Sequence, residues 1–426
     1  MRMPCRHRPS SRRAVVLVMV LWIVVVLSVV FYSLMEELTL DTKLTGLRKR
    51  DMQAYCAARA GVARAVADLS NDVIVDISRD SQQYDSLGDV WAQDDQLVDV
   101  DYAKAGGQLA DHVSYTVLVE DEESKINLNM ASYELIEALL RVLGQKDDKA
   151  KDIAEAIWDW RDPDTRPKSG QGEYENAYYA EKQMKDEHAR IRNGNYVYIS
   201  KNDAFTTLEE LLDVYGVTPE LYYGHDARAR HESRSRRPSA RQRVKRPDGS
   251  AMGERKGLRD FLTLSSNGTV NVNTAPAEAL AAIALAEGKD ISEAMALAQT
   301  ACGERGGKKA NSSAAFRSLQ DFYVTTKFPT PRRSRVGLDV RSVTFTLTAL
   351  GQARGLREAR GVEHSVQAVV RRDIDYFPLN PAVGDIGGVW SPAKDGPPYY
   401  KKVRVDFRQP AMTYEPSVHV ILWVDW

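Results

Sequence analysis

Six oxygen-bearing residues, Asp159, Asp162, Asp164, Glu173, Glu175 and Asn176, are the group whose types and spacing most invite chemistry. Asp159-Trp160-Arg161-Asp162-Pro163-Asp164 ends a helical stretch and runs into a Gly/Pro loop, and Gly172-Glu173-Tyr174-Glu175-Asn176 follows a few residues on. Acids at x, x+3 and x+5 plus a second acidic pair could assemble six or more oxygens, the hard ligands that calcium takes. The spacing is not that of an EF-hand loop, and the same acids would serve equally well as a solvated helix end. A bound ion would act structurally here, ordering a loop too polar to fold on apolar burial alone. No catalytic constellation accompanies it. The seven histidines (His7, His112, His188, His225, His231, His364, His419) have no metal-ligand spacing, and neither a serine elbow nor a glycine-rich phosphate loop is present.

The elements that must position these acids belong to an internal repeat. Ile126-Asn127-Leu128-Asn129-Met130-Ala131 precedes a helical stretch with Glu134, Leu135, Leu139 and Leu140. Farther along, Val270-Asn271-Val272-Asn273-Thr274-Ala275 precedes Glu278, Leu280 and Ile283. A later piece also recurs, residues 204–211 (AFTTLEEL) matching 315–322 (AFRSLQDF). Helical segments at Lys149–Trp160 and Lys289–Ala301 lie between, so each unit reads as a small bundle opened by an Asn-x-Asn turn. Asn129 and Asn273 are placed to cap the helix that follows, and Pro276 suits a first turn.

At the other end of the chain, Ala14 to Met35 holds no charge over 22 positions. That is long enough to cross a hydrocarbon core of roughly 30 Å. Arg2, Arg6, Arg8, Arg12 and Arg13 precede it, which predicts a cytoplasmic N-terminus with the remainder across the membrane. The apolar run exceeds that of a cleaved secretory signal. Beyond it, Leu40, Leu44, Leu47, Tyr55, Ala58, Val62, Val66 and Leu69 keep a helical apolar stripe, with no proline from Val15 to Leu69. One helix, half in lipid and half amphipathic, is expected.

The chain has 426 residues, 43% hydrophobic and 27% charged, which is globular material too long for one simple core. Its net charge of −1 provides no steering toward nucleic acid. Three cysteines make no disulfide framework, and Cys56 and Cys302 read as buried thiols, although a bridge between them is open. Residues 228–256 carry eleven Lys/Arg against three acids, without aromatics to stack on bases, and read as a solvated linker.

Arg12-Arg13-Ala14-Val15-Val16-Leu17-Val18-Met19-Val20-Leu21-Trp22 resembles the N-terminus of the general secretion pathway protein K family, the large minor pseudopilin of the type II secretion system. Met19 stands where most pilins have glutamate, an absence characteristic of that family. The resemblance implies a leader cut by prepilin peptidase between Ala14 and Val15. It also implies a pilin-like head carrying two helical modules as an insertion, and calcium bound in that helical region by residues among the six above. A non-enzymatic tip subunit is implied, tethered in the bacterial inner membrane by one span with its bulk in the periplasm. Its partners would be the minor pseudopilins I and J, then the major pseudopilin, with the peptidase and inner-membrane lipid. Val-Asn-Val-Asn-Thr-Ala is also similar to helix-hairpin-helix modules of DNA-uptake proteins, which offers a second reading as a membrane-anchored DNA-binding protein. The paired glycines of those hairpins are missing, and Glu287 in the second hairpin would repel phosphate, so nucleic acid is not expected as a partner.

Strand patterns complete an α+β expectation. Asp111–Val119, Ser342–Ala349, Ser365–Val370, Val403–Phe407 and Val418–Trp426 would form an antiparallel sheet on the amphipathic half of the first helix. Gly351–Gly361 would turn between the second and third of these, and Tyr399, Tyr400, Tyr414, Trp423 and Trp426 would be core. The expected segments are a leader (1–14), the long helix (15–70), and the first part of the head (71–122), mostly loop with short helical turns. The first helical unit (123–224), a basic linker (225–260), the second unit (261–328) and the β-rich remainder (329–426) follow.

Overall fold

The computed structural model describes residues 11–80, 84–93, 98–99, 111–185, 198–224, 256–305, 315–355, 361–372, 388–391, 399–402 and 418–425. Most of the basic linker, the expected strand Val403–Phe407, Cys5, Tyr414 and Trp426 lie outside them. Helix α1 runs unbroken over Ser11–Asp80, so it continues past the expected end at residue 70. It is the one helix among the described residues long and apolar enough to cross a membrane. Val15–Met35 is exposed on every side, which suits lipid. From Ala54 the helix changes character. Ala54, Ala57, Ala58, Val62, Ala65 and Leu69 are buried against a sheet.

That sheet has the order β1-β2-β7-β8-β11 and is antiparallel throughout. Its strands are β1 (Val98–Asp99), β2 (Asp111–Asp121), β7 (Thr344–Gly355), β8 (Val362–Arg372) and β11 (Val418–Asp425). The short β1, which precedes the expected first strand, was not expected. β7 runs on through Gly355, which shortens the expected turn at Gly351–Gly361. Period-two alternation turns Phe345, Leu347, Ala349, Val366, Ala368 and Val370 toward α1, where Trp91 closes the cluster. A separate hairpin, β9 (Gly388–Ser391) with β10 (Tyr399–Lys402), had no counterpart among the expected strands.

The insertion lies between β2 and β7, neighbouring strands paired so that Asp121 faces Phe345. Among the described residues its α-helices are α2 (Tyr133–Val142), α3 (Asp147–Arg161), α4 (Glu175–Lys185), α5 (Pro219–Tyr223), α6 (Ala277–Ala286), α7 (Ile291–Arg305) and α8 (Leu319–Thr326). One core spans them, with Leu135, Leu139 and Ile157 in the same cluster as Leu280, Ile283 and Phe322. The expectation of an all-helical insertion is corrected by two short parallel ladders. They are β3 (Ile126–Asn127) on β4 (Leu262–Thr263), and β5 (Thr269–Asn271) on β6 (Gly337–Asp339).

The Asn-x-Asn turns also act differently from the expected caps. Ser132 caps α2 through the Leu135 N–H at 3.2 Å, and Pro276 stands at the N-cap of α6, which has no side-chain cap. Asn129 instead braces a distant loop, exchanging two 2.9 Å hydrogen bonds with the Phe205 backbone. Asn273 does the same with Phe316, at 2.9 and 2.8 Å. Cys56 is exposed rather than buried and Cys302 is half-buried; both are free thiols.

The insertion joins the end of the sheet remote from the span. Phe345 clusters with Val62, Ala65 and Leu69, whereas Gly351 meets α1 at Ala54. At about 1.5 Å per residue, Leu69 stands some 50 Å up the helix from Met35. The approach at Gly351 is very close. A Cβ there would collide with the Ala54 carbonyl oxygen and the Ala58 nitrogen, which are backbone atoms that cannot swing aside. We predict that Gly351→Ala lowers the thermal midpoint by overpacking, a cost of about 1–3 kcal/mol. Gly46→Ala, where an added Cβ meets nothing within 4 Å, should leave the midpoint unchanged or raise it. Circular dichroism melts of both variants in detergent check this, and equal melts would remove the argument.

Candidate metal site at the end of the third helix

Helix α3 has no side-chain cap at its start, and it ends at Asp162, whose backbone is extended. The loop that follows folds back so that Asp162, Asp164 and Glu175 bring carboxylate oxygens within 4.8 Å of one another. Two oxygens bound at about 2.4 Å to one ion can be no more than about 4.8 Å apart, so the spacing suits a shared cation. The Glu175 N–H donates to the Thr165 carbonyl at 3.0 Å, which holds the start of α4 against the loop. Asn202, in the left-handed region at φ 52°, donates to the Asp164 carbonyl.

The other expected ligands are deployed elsewhere. Asp159 is fully buried and accepts from the Lys168 N–H (2.9 and 3.0 Å) and the Tyr179 hydroxyl (2.6 Å), so it ties the loop to α4. Asn176 accepts from the Ser200 N–H at 2.6 Å. Glu173 is exposed and outside the cluster. Three of the six residues therefore converge, and two more act as the scaffold. Tyr179, Ser200 and Asn202 complete that scaffold across long stretches of chain, a relation no local spacing signals.

The electrostatics leave the cluster short of positive charge. Neither carboxylate oxygen of Glu175 has a hydrogen-bond partner among the described residues, nor has Oδ1 of Asp162, although all three are buried. Burial, reinforced by Asp159 and Asp162, pushes the Glu175 carboxyl up to about 7. The nearby Ser200 hydroxyl offsets this only in part, because it donates to the Asp159 carbonyl at 2.8 Å. Burial likewise raises Asp159 to about 6 and raises Asp162. The adjacent cations are engaged elsewhere as well, and Lys168 offsets the rise of Asp162 only in part. Arg161 donates to the Leu128 and Ala131 carbonyls, and Lys168 sits over the Trp158 ring at 4.8 Å. Asp164 is exposed and accepts from the Arg166 N–H at 2.7 Å, so the unpartnered oxygens are those of Glu175 and Oδ1 of Asp162, and their spacing fits a hard divalent cation.

Two further features bear on function. From Leu38 to Leu47, α1 presents leucines to the outside, with Leu38, Leu40, Leu44 and Leu47 each about half exposed. Leu40, Leu44 and Leu47 share one helical face. In the second hairpin, Glu287 does not stand free as a repulsive charge. Its carboxylate accepts from the N–H groups of Arg332, Arg333 and Ser334 at 2.8–3.1 Å and from the Ser334 hydroxyl. The place where a helix-hairpin-helix would seat phosphate is thus closed from within.

Comparisons with known proteins point one way. Residues 116–224 match the first-domain profile of Type II secretion system (T2SS), protein K. The chain is 29% identical over 224 residues to Type II secretion system protein K of Aeromonas hydrophila, covering 50% of this chain. It spans 62% of that relative's length. Among solved structures, the GspK-GspI-GspJ complex from the type 2 secretion system of enterotoxigenic Escherichia coli is similar at 15% identity. Its TM-score is 0.46, covering 77% of this chain and 94% of the matched one. The profile match, which runs from within β2 through α5, and the Aeromonas hydrophila relative bear out the likeness to the protein K family seen in the sequence.

If the acidic cluster is electrostatically frustrated without an ion, removing one charge should relieve it. In chelator at pH 8, Glu175→Gln is expected to raise the thermal midpoint by a few degrees, at roughly 2–4 °C per kcal/mol. A fall in the midpoint would mean that the carboxylate is needed for reasons other than a cation.

Proposed function

We propose that this chain is a minor pseudopilin that caps the tip of a type II secretion pseudopilus, a non-enzymatic structural part of protein export. The observation that carries the reading is where the insertion sits. It leaves and rejoins the sheet at the membrane-distal end, beside Leu69, on a head whose shaft is a single helix. A subunit shaped this way can be supported from below by neighbouring helices. Its bulk obstructs any subunit stacked above.

In this reading the span anchors the chain in the inner membrane with a cytoplasmic N-terminus, and prepilin peptidase cuts between Ala14 and Val15. The leucine-bearing stretch of α1 from Leu38 to Leu47 then receives the helices of the I and J minor pseudopilins, with the major pseudopilin following. Met19 in place of glutamate suits a terminal position, which needs no carboxylate to neutralise the amine of a further subunit. The insertion consists of two copies of one helical unit. Supporting this, Asn127 and Asn271 each accept from the N–H two residues on, at 3.0 and 2.9 Å. Arg161 and Arg305 also reach back to the carbonyls of Leu128 and Val272. Calcium occupies the cluster of Asp162, Asp164 and Glu175 and holds the loop after α3 in its folded form.

Two outcomes test the proposal. Deleting Ser124 to Phe328 keeps the anchor and leaves residues 329–343 to join Asp121 to its paired neighbour β7. Such a trimmed subunit should appear along the filament by immunogold labelling, whereas labelling confined to the tips would contradict the steric argument. For the ion, calcium at about 100 times its dissociation constant should stabilise the wild type by about 2.7 kcal/mol. Combining Asp162→Ala with Asp164→Ala should abolish that calcium-dependent rise in thermal midpoint, and an undiminished rise would remove the site.

A further inference from the structure

The acidic turn Asp121-Glu122-Glu123 at the end of β2 is buried, and each of its three carboxylates bridges residues 263–274 to β7 or to the two residues that lead into it. Asp121 Oδ2 accepts from the Thr274 hydroxyl on one side and from the Ser342 hydroxyl, 2.6 Å, on the other. Glu122 accepts from Thr263 through Oε2 and from the Thr346 hydroxyl, 2.6 Å, through Oε1. Glu123 accepts from the Asn267 N–H at 3.3 Å through Oε1, and through Oε2 from the N–H groups of Val343 and Thr344 at 3.1 and 2.8 Å. The partners from the second unit are neutral hydroxyl and amide donors. None of them brings a compensating charge.

Other charged groups around the turn do not make up the deficit. Lys125 lies 3.3 Å from Glu120 and 3.6 Å from Glu122. Arg372, fully buried on β8, pairs with Asp85 and lies 3.5 Å from Asp72 of α1. Asp85 in turn accepts from the Ser342 N–H at 2.7 Å, and Asp89 accepts from the Ser86 N–H at 2.6 Å. Asp339 and Arg341, on the stretch leading into β7, pair with each other at 3.2 Å. Among the described residues, seven carboxylates (Asp72, Asp85, Asp89, Glu120, Asp121, Glu122, Glu123) thus have two cations within ion-pair reach of members of the group, Lys125 and Arg372. Although Asp72, Asp85 and Asp89 lie close enough to share an ion, the Arg372 guanidinium already answers two of them.

We propose that this turn is a proton-operated latch, which holds the inserted helical units firmly on the sheet in mild acid and loosens them as the surroundings become alkaline. Burial and the neighbouring acids push Asp121 up to about 6 and Glu123 up to about 8, and burial pushes Asp89 up to about 6. The folded junction therefore binds protons that the unfolded chain would release. Stability from these groups is fully present below about pH 4 and is lost as the pH rises through about 6 and then about 8. Because the turn is the point at which the insertion leaves the sheet, the loss falls on that joint rather than on either core. This inference rests on the junction's geometry and its buried carboxylates, and on neither the tip location nor the calcium site.

Hydrogen exchange read by mass spectrometry tests it on the full chain in detergent with calcium saturating, from pH 5.5 to 8.5, after correction for intrinsic rates. Peptides spanning 121–124, 263–274 and 342–346 should lose protection by about tenfold or more over that range, one pKa unit corresponding to a tenfold change. Peptides from α2 and α6 should hold theirs. Glu123→Gln, which mimics the protonated side chain, should flatten the dependence above pH 7, and Asp121→Asn should flatten it nearer pH 6. The latch is overturned by wild-type protection that is constant or grows with pH, or by a Glu123→Gln profile that still falls like the wild type. Should Glu123→Gln fail to fold, the wild-type profile together with Asp121→Asn decides the matter.

Discussion

The pairing of Asp121 with Phe345 is the constraint from which the architecture follows. Neighbouring strands lie about 4.8 Å apart, so the long excursion between β2 and β7 must begin and end at nearly one point. The chain can meet that condition only by folding the excursion into a unit with its own core, and a single apolar cluster from Ile126 to Val340 provides it. The joint itself buries three carboxylates. It is secured by directional bonds to three successive carboxylates, and this makes it specific in orientation and costly in charge.

Helix α1 meets three surroundings in turn, and its side chains change to suit each. Large aliphatic residues on all faces suit lipid from Val15 to Met35. Leucines spaced along one face from Leu40 to Leu47 suit other helices. Alanines at 54, 57, 58 and 65, with Gly61 under Tyr115 and Gly351 over Ala54, let a sheet come into backbone contact. A small-residue surface forfeits apolar area per residue but gains closeness, and the close contact fixes where along the rod the head is mounted.

Two buried acidic groups in the molecule meet the cost of burial by different means. At the junction, hydroxyl and amide donors surround each oxygen, and Arg372 contributes charge to the adjoining Asp85. At the end of α3 the oxygens of Glu175 and one of Asp162 face each other without donors. The first arrangement is complete within the chain apart from its protons. The second is complete only with something supplied from outside, because like charges in a buried pocket raise one another's proton affinity unless a cation intervenes.

Much of this was legible from composition and periodicity. The long apolar run, the amphipathic continuation, the alternation of Val343, Phe345 and Leu347, and the recurring Asn-x-Asn turns are local patterns, and local patterns report what a segment must bury. The acids of the α3 loop could be nominated in the same way. What no local pattern encodes is which groups meet across the fold. Asn129 and Asn273 read as caps because capping is the nearest use for such a side chain, yet the tertiary structure draws Phe205 and Phe316 to them. Asp159 read as a ligand until Tyr179 and the Lys168 N–H claimed it. The same holds for the acidic turn after β2, whose meaning rests on Thr263, Asn267, Thr274 and Ser342 arriving from more than 130 residues away. Hydrophobic pattern is set residue by residue along the chain, but a hydrogen bond needs a partner, and only the closed fold chooses it.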